Sequence, residues 1–166
     1  GANKMLLQMD GEPFVCRAVR SAHAAGLSPV VVVVGHEAER VETVLGRLSC
    51  VFVRNPDFTG PTSTSLHCGL AELGNDCDAA VVMLGDMVHV SSDMVRAVVE
   101  TARQSGVLLV VSRYGDFTAP PLLFRRALFA ELLAWTGDGC GKAVVRAHDK
   151  EAAYIDWPVA SLADID

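Results

Sequence analysis

Along this chain, β-branched runs alternate with stretches whose apolar positions recur at helical spacing. Residues 30–34 are five consecutive valines between Pro29 and Gly35, which predicts a strand buried on both faces. From Glu37 the period changes: Val41, Val44, Leu45 and Leu48 fall at i, i+3, i+4 and i+7, one face of a helix. Further short strands are expected at residues 50–53, at 81–84, at 107–111 and at 152–155. A helix is expected to start at Glu12-Pro13, with proline in the first turn where its missing N–H is not needed. It carries Phe14, Val15, Ala18, Val19 and Ala22 on one stripe and closes at Gly26. Others are expected after Thr62 or Ser63 (Leu66, Leu70, Leu73 on one face), from Ser91-Ser92-Asp93 (Met94, Val95, Val98, Val99, Ala102), over residues 125–135 and near 142–147. Residues 5–9, ahead of Asp10-Gly11, read as a strand or extended loop; residues 55–62 and 115–121 read as loop or irregular structure. Strands alternating with amphipathic helices predict an α/β domain whose mostly parallel sheet carries helices on both faces.

Length and composition keep this to one domain, residues 1–166, since 51% of the chain is hydrophobic and 20% charged and two cores would be crowded. Apolar runs such as residues 30–34 fall far short of the ~20 residues of a membrane-spanning helix, so no membrane partner is expected. The net charge of -6 argues against a nucleic-acid partner, which calls for a basic face. Five scattered cysteines (Cys16, Cys50, Cys68, Cys77, Cys140) form no close pair and read as ordinary thiols of a cytoplasmic protein. His36, His67 and His89 have no ligand spacing, and Cys140, although flanked by glycines, has no evident base partner. The chain opens at Gly1-Ala2-Asn3-Lys4 without methionine and stops at Asp164-Ile165-Asp166, which suggests a piece of a longer protein.

The chemistry-bearing stretch is Val81-Val82-Met83-Leu84-Gly85-Asp86-Met87. Ligands of open α/β sheets sit beyond the carboxyl ends of the strands, so Asp86 is expected to point into that crevice, with Gly85 bringing backbone close to a ligand. Mg²⁺ takes one or two carboxylates plus phosphate oxygens and water, a role Asp86 can fill, and Lys4 can supply a point charge to a phosphate.

Several motifs in order resemble the molybdenum-cofactor nucleotidyltransferases, specifically the molybdopterin cytidylyltransferase type, over nearly the whole chain. They are Asn3-Lys4-Met5-Leu6-Leu7, residues 29–36 followed by Glu37, Asn55-Pro56-Asp57-Phe58, Ser65-Leu66 with Gly69-Leu70, Leu84-Gly85-Asp86-Met87, Gly137-Asp138 and Asp164-Ile165-Asp166. The resemblance implies a Rossmann-like nucleotidyltransferase fold and Mg²⁺-dependent transfer of a nucleotide to the terminal phosphate of molybdopterin, with pyrophosphate released and CTP preferred to GTP. It implies that Lys4 and Asp86 are catalytic, that Lys4, Ser65 and Gly85 bind the nucleotide, and that Asp166 closes the metal site opposite Asp86. Thr62, Ser63 and Thr64 offer further hydroxyls beside Ser65.

The sequence departs from the family in identifiable places. The family's first strand and glycine-rich, arginine-containing phosphate loop would precede Gly1 and are absent from the chain as given. Val88 replaces a proline, Ala119-Pro120-Pro121 stands where Gly-His-Pro is usual, and Cys140 replaces a glycine; the last two changes fall on the side expected to face the acceptor. Two alternatives stay open: a nucleotidyltransferase acting on another phosphorylated metabolite, and a non-catalytic maturation factor that binds molybdopterin or a molybdoenzyme.

Overall fold

The computed structural model describes residues 2–162. After a short 3-10 turn at Lys4–Leu6, strands β1 (Gln8–Met9) and β2 (Glu12–Pro13) form an antiparallel hairpin. Asp10 and Gly11 both hold positive φ, 53° and 79°, the pair of left-handed conformations that a tight two-residue hairpin requires. Glu12 and Pro13 are therefore a strand rather than a helix start, and helix α1 runs Phe14–Ala24. Its buried stripe is Phe14, Val15, Cys16, Val19 and Ala22.

Strand β3 (Val31–Val34), helix α2 (Ala38–Leu45) and strand β4 (Val51–Arg54) follow, with β3 and β4 parallel and Val31 opposite Val51. Next come helix α3 (Ser63–Glu72), strand β5 (Ala79–Val82) and helix α4 (Ser92–Ser105). Ser91 caps α4 by accepting the Met94 N–H at 3.2 Å, and Gly106 ends it at φ 66°. The rest is β6 (Leu109–Tyr114), β7 (Phe117–Arg125), α5 (Phe129–Ala134), α6 (Cys140–Ala147) and β8 (Ala152–Trp157).

The fold is Rossmann-like α/β with helices on both faces, and besides the β1–β2 hairpin its strands form two sheets. One sheet is β3-β4; the other has the order β5-β7-β6-β8, in which β7 is antiparallel to both neighbours and β8 is parallel to β6. The sheets share their cover. Helix α3 lies on β3, with Gly69 against Val33, and puts Leu66 and Leu70 into the core that contains Ala80 and Val82 of β5. On the opposite face α1 covers Val32 and Val34, α4 covers Ala79 and Val81, and the two helices pack on each other. Strands β3 and β5 thus lie between the same helical layers, and among the described residues each is hydrogen-bonded along one edge only. That is why the valine run is half-buried except at Val34, and why all four residues of β5 are half-buried, although both were expected to be fully covered.

Strand β7 replaces the irregular segment expected at residues 115–121 and takes in Arg125, so that regular helix begins only at Phe129. Its prolines are accommodated by a shift of register. Val111 pairs with Leu122 and Arg113 with Thr118, so residues 119–121 bulge opposite Ser112 alone, where no ladder N–H is needed. Buried hydroxyls serve the bulge carbonyls: Ser112 Oγ donates to Pro121 O and Tyr114 Oη to Pro120 O, both at 2.7 Å. Trp157 Nε1 donates to Ser112 Oγ at 2.9 Å.

Candidate active site

The site is assembled at the ends of β3, β4 and β5. Strand β5 stops at Val82, and Met83 and Leu84 lead into a turn at Gly85-Asp86. The Asp86 carbonyl accepts the Val88 N–H at 3.0 Å. The residue is half-buried, and its carboxylate has no hydrogen-bond or ion-pair partner among the described residues. A carboxylate withdrawn from water in this way gains from a cation.

Gly85 is explained by packing. A Cβ there would lie 2.6 Å from Met5 Sδ and 3.6 Å from Val15 Cγ2, so the missing side chain lets the Lys4–Leu6 turn close on the Asp86 loop. Asn3 fixes that turn from the other side. Its Oδ1 accepts the Met5 N–H at 3.1 Å, and its Nδ2 donates to His36 O at 3.0 Å, just beyond β3. The turns that carry Lys4 and Asp86 thereby adjoin through Met5 and Gly85, with Lys4 exposed.

Ser65 stands in the first turn of α3, on the β4 side. Asn55, the residue after β4, is 4% exposed; its Oδ1 accepts the Asp57 N–H at 2.9 Å, and its Nδ2 reaches Thr64 Oγ1 at 2.9 Å and Ser65 Oγ at 3.0 Å. From across the chain, Asp138 Oδ1 accepts the Thr62 N–H at 2.9 Å and lies 3.3 Å from Thr62 Oγ1. Of the four neighbouring hydroxyl residues Ser63 is 3% exposed, Thr64 and Ser65 are half-buried and Thr62 is exposed; Ser65 Oγ takes part in one bond, from Asn55. Asn55 and Asp138 were not singled out as site residues from sequence. The turn-forming Asn-Pro-Asp ahead of a Ser/Thr cluster was the available signal for Asn55.

Asp164 and Asp166 lie outside the described residues. Among the described residues no group of three or more His, Cys, Asp or Glu side chains is placed to hold a metal ion. Asp86 by itself fits an ion shared with phosphate oxygens and water rather than an all-protein cage. The two departures near the expected acceptor side face inward: Pro121 and Cys140 are buried, while Ala119 and Pro120 are half-buried. Cys140 Sγ lies 3.3 Å from Leu132 O, and burial pushes its thiol pKa up, the opposite of an activated nucleophile.

Residues 1–152 match the family model of the MobA-like NTP transferase domain. A curated relative, the bifunctional protein GlmU of Geotalea uraniireducens, is 26% identical over 147 residues, covering 88% of this chain and 30% of that protein. The chain therefore spans less than a third of that relative's length. Among solved structures, Rv0371c of Mycobacterium tuberculosis superposes with a TM-score of 0.84 at 23% identity, covering 100% of this chain and 85% of that one; it has also been solved in complex with manganese. Molybdopterin-guanine dinucleotide biosynthesis protein A of Archaeoglobus fulgidus superposes with a TM-score of 0.59 at 16% identity, covering 98% and 78%. No helix among the described residues is long and apolar enough to cross a membrane.

Proposed function

The chain belongs to the MobA-like NTP transferase domain family, and from that premise we propose that it transfers CMP from CTP to the terminal phosphate of a molybdopterin-type cofactor, releasing pyrophosphate, with Mg²⁺ as the working ion. The observation that carries the reading is Asp86, half-buried in the turn beyond β5, with no partner for its carboxylate among the described residues. In this reading an acceptor phosphate oxygen attacks the α-phosphorus, the α–β bridging P–O bond breaks, and its electron pair leaves with pyrophosphate. Chemistry of this kind depends on positioning and on charge offset. Asp86, with Asp166 as second ligand, would hold the divalent ion, which when bound would supply positive charge to offset the negative charge that develops on the phosphates. Lys4 adds a point charge from the adjoining turn, Gly85 lets that turn close, and Ser65 contacts the base. The manganese complex of Rv0371c supports divalent metal, the name of the Archaeoglobus protein supports a molybdopterin acceptor, and the five free thiols support a cytoplasmic setting. CTP is preferred to GTP on sequence resemblance alone.

Calorimetry with CTP and GTP, each with and without Mg²⁺ or Mn²⁺, tests this reading. We expect metal-dependent binding, tighter for CTP, that weakens at least about 10-fold in Asp86→Ala, as for loss of a charge-assisted contact. Binding indifferent to Asp86→Ala, or no binding of either nucleotide, overturns it. Turnover with a phosphorylated sugar in place of molybdopterin would transfer the reading to another acceptor.

A further inference from the structure

Helix α6 carries two cations one turn apart, Lys142 and Arg146, and both line an open cleft of about 430 Å³ between α6, the start of β7 and β8. Thr118, Val145, Asp149 and Tyr154 complete its wall. Both cations are exposed, and among the described residues neither has a carboxylate partner, whereas Arg17, Arg20, Arg40, Arg54, Arg96 and Arg113 each face one. Like charges at this spacing repel, and a carboxylate that could relieve them, Asp149, follows Arg146 by three residues. It is engaged elsewhere. The Tyr154 hydroxyl donates to Asp149 Oδ1, and that bond, together with burial, raises the phenol pKa, so the hydrogen stays on Tyr154. Arg113 lies over the Tyr154 ring, 5.0 Å from its centroid, and is itself held by Asp156 at 2.6 and 3.2 Å. The Thr118 hydroxyl has no hydrogen-bond partner among the described residues, and Val145, 6% exposed, gives the cleft an apolar side. Tyr154 pairs with Val111, Val111 with Leu122 and Leu122 with Val82. The cleft therefore lies in the same row as the end of β5 but three strand spacings from it, about 14 Å.

We propose that this cleft is a second ligand site, which takes the phosphate group of a small phosphate ester: Lys142 and Arg146 pair with the phosphate oxygens, Thr118 donates its hydroxyl hydrogen, and the organic part lies against Val145 and the Tyr154 ring. Two cations and a hydroxyl donor without partners in the protein suit a dianion with several acceptor oxygens. The volume falls at the small end of ligand pockets, which suits a small ester. Tyr154 is a positioning residue, since it keeps Asp149 from neutralising Arg146. The site stands apart from the Asp86 turn and does not rest on the nucleotidyltransferase reading.

Amide chemical shifts of the native chain, followed in titrations with inorganic phosphate and with glycerol phosphate against sodium chloride at matched ionic strength, test the assignment. Saturable shifts at residues 118, 142–146 and 154 are expected with both phosphates, the ester binding more tightly, and none with chloride. Lys142→Gln and Arg146→Gln are each expected to weaken binding about 3- to 10-fold, as for one lost hydrogen bond to a charged group near the surface, without lowering the melting temperature. Tyr154→Phe is expected to weaken it by a similar factor by releasing Asp149 to Arg146, and Asp149→Asn in that background to restore it. Shifts that follow ionic strength alone, that persist when Lys142→Gln and Arg146→Gln are combined, or that are confined to residues 83–88 overturn the site. Failure of Asp149→Asn to restore binding overturns the role given to Tyr154. Where Tyr154→Phe fails to fold, Lys142→Gln and Arg146→Gln decide by themselves.

Discussion

A methyl group at position 35 would collide with the loop that follows β4: a Cβ on Gly35 would lie 2.3 Å from Phe58 Cβ and 2.9 Å from Phe58 Cγ. These atoms are close to the Phe58 backbone and cannot swing aside, unlike the Met5 thioether that faces Gly85. Gly35→Ala is therefore expected to displace residues 57–59 and cost about 1–3 kcal/mol, the usual range for overpacking, read as a lowered urea midpoint. Gly85→Ala should be milder, since Met5 can change rotamer, but it should loosen the Lys4 turn. The place of Asp86 in the turn beyond a strand was legible in the sequence because a carboxylate after an apolar run and a glycine is a strand-end signal that needs no tertiary knowledge. Asn55 was not, because its partners stand nine and ten residues further on and its importance comes from burial.

The hairpin of β1 and β2 was half visible, as Asp10-Gly11 is a turn signal of the strongest local kind, yet Pro13 beside it mimicked a helix start. For β7 the local signal pointed the wrong way. Pro120-Pro121 reads as irregular chain, and what makes it a strand is a hydroxyl pair on β6 together with Trp157, all remote in sequence. Ser112→Ala strands both the Pro121 carbonyl and the Trp157 N–H, and a loss of about 1–3 kcal/mol is expected in denaturant unfolding. Burial pushes the Tyr114 phenol up to about 12, so it keeps its donor hydrogen for Pro120 O throughout the working pH range. A clasp between α5 and α6 does titrate. His148 Nδ1 meets Glu151 and its Nε2 meets Glu131 at 2.6 Å, and the two carboxylates raise its pKa above the ordinary 6.5. The clasp's contribution is fully present below pH 6.5 and is lost as pH rises through the raised folded-state value. A melting temperature that falls over that upward window, and becomes flat there in His148→Gln, is the expected result.

Outside the β1–β2 hairpin and β7, the order of helices and strands followed from hydrophobic period, but the division of the remaining strands into two sheets did not, because period reports what a strand buries and not which strand lies beside it. Leu109, Val110 and Val111 are 0% exposed and paired on both edges, whereas β3 and β5 are each paired along one edge only among the described residues. Hydrogen exchange is accordingly expected to be faster in Val31–Val34 and Ala79–Val82 than at residues 109–111; equal protection would mean that the other edges of β3 and β5 are covered in solution. The Asn55 hub also bears on how the molecule ages. Spontaneous deamidation begins when the backbone nitrogen of the next residue attacks the asparagine side chain, and here that residue is Pro56, whose ring nitrogen carries no hydrogen. Conversion of this amide to a carboxylate by that route would remove the donor that Asn55 presents to Thr64 and Ser65, and the residue that follows it closes the route.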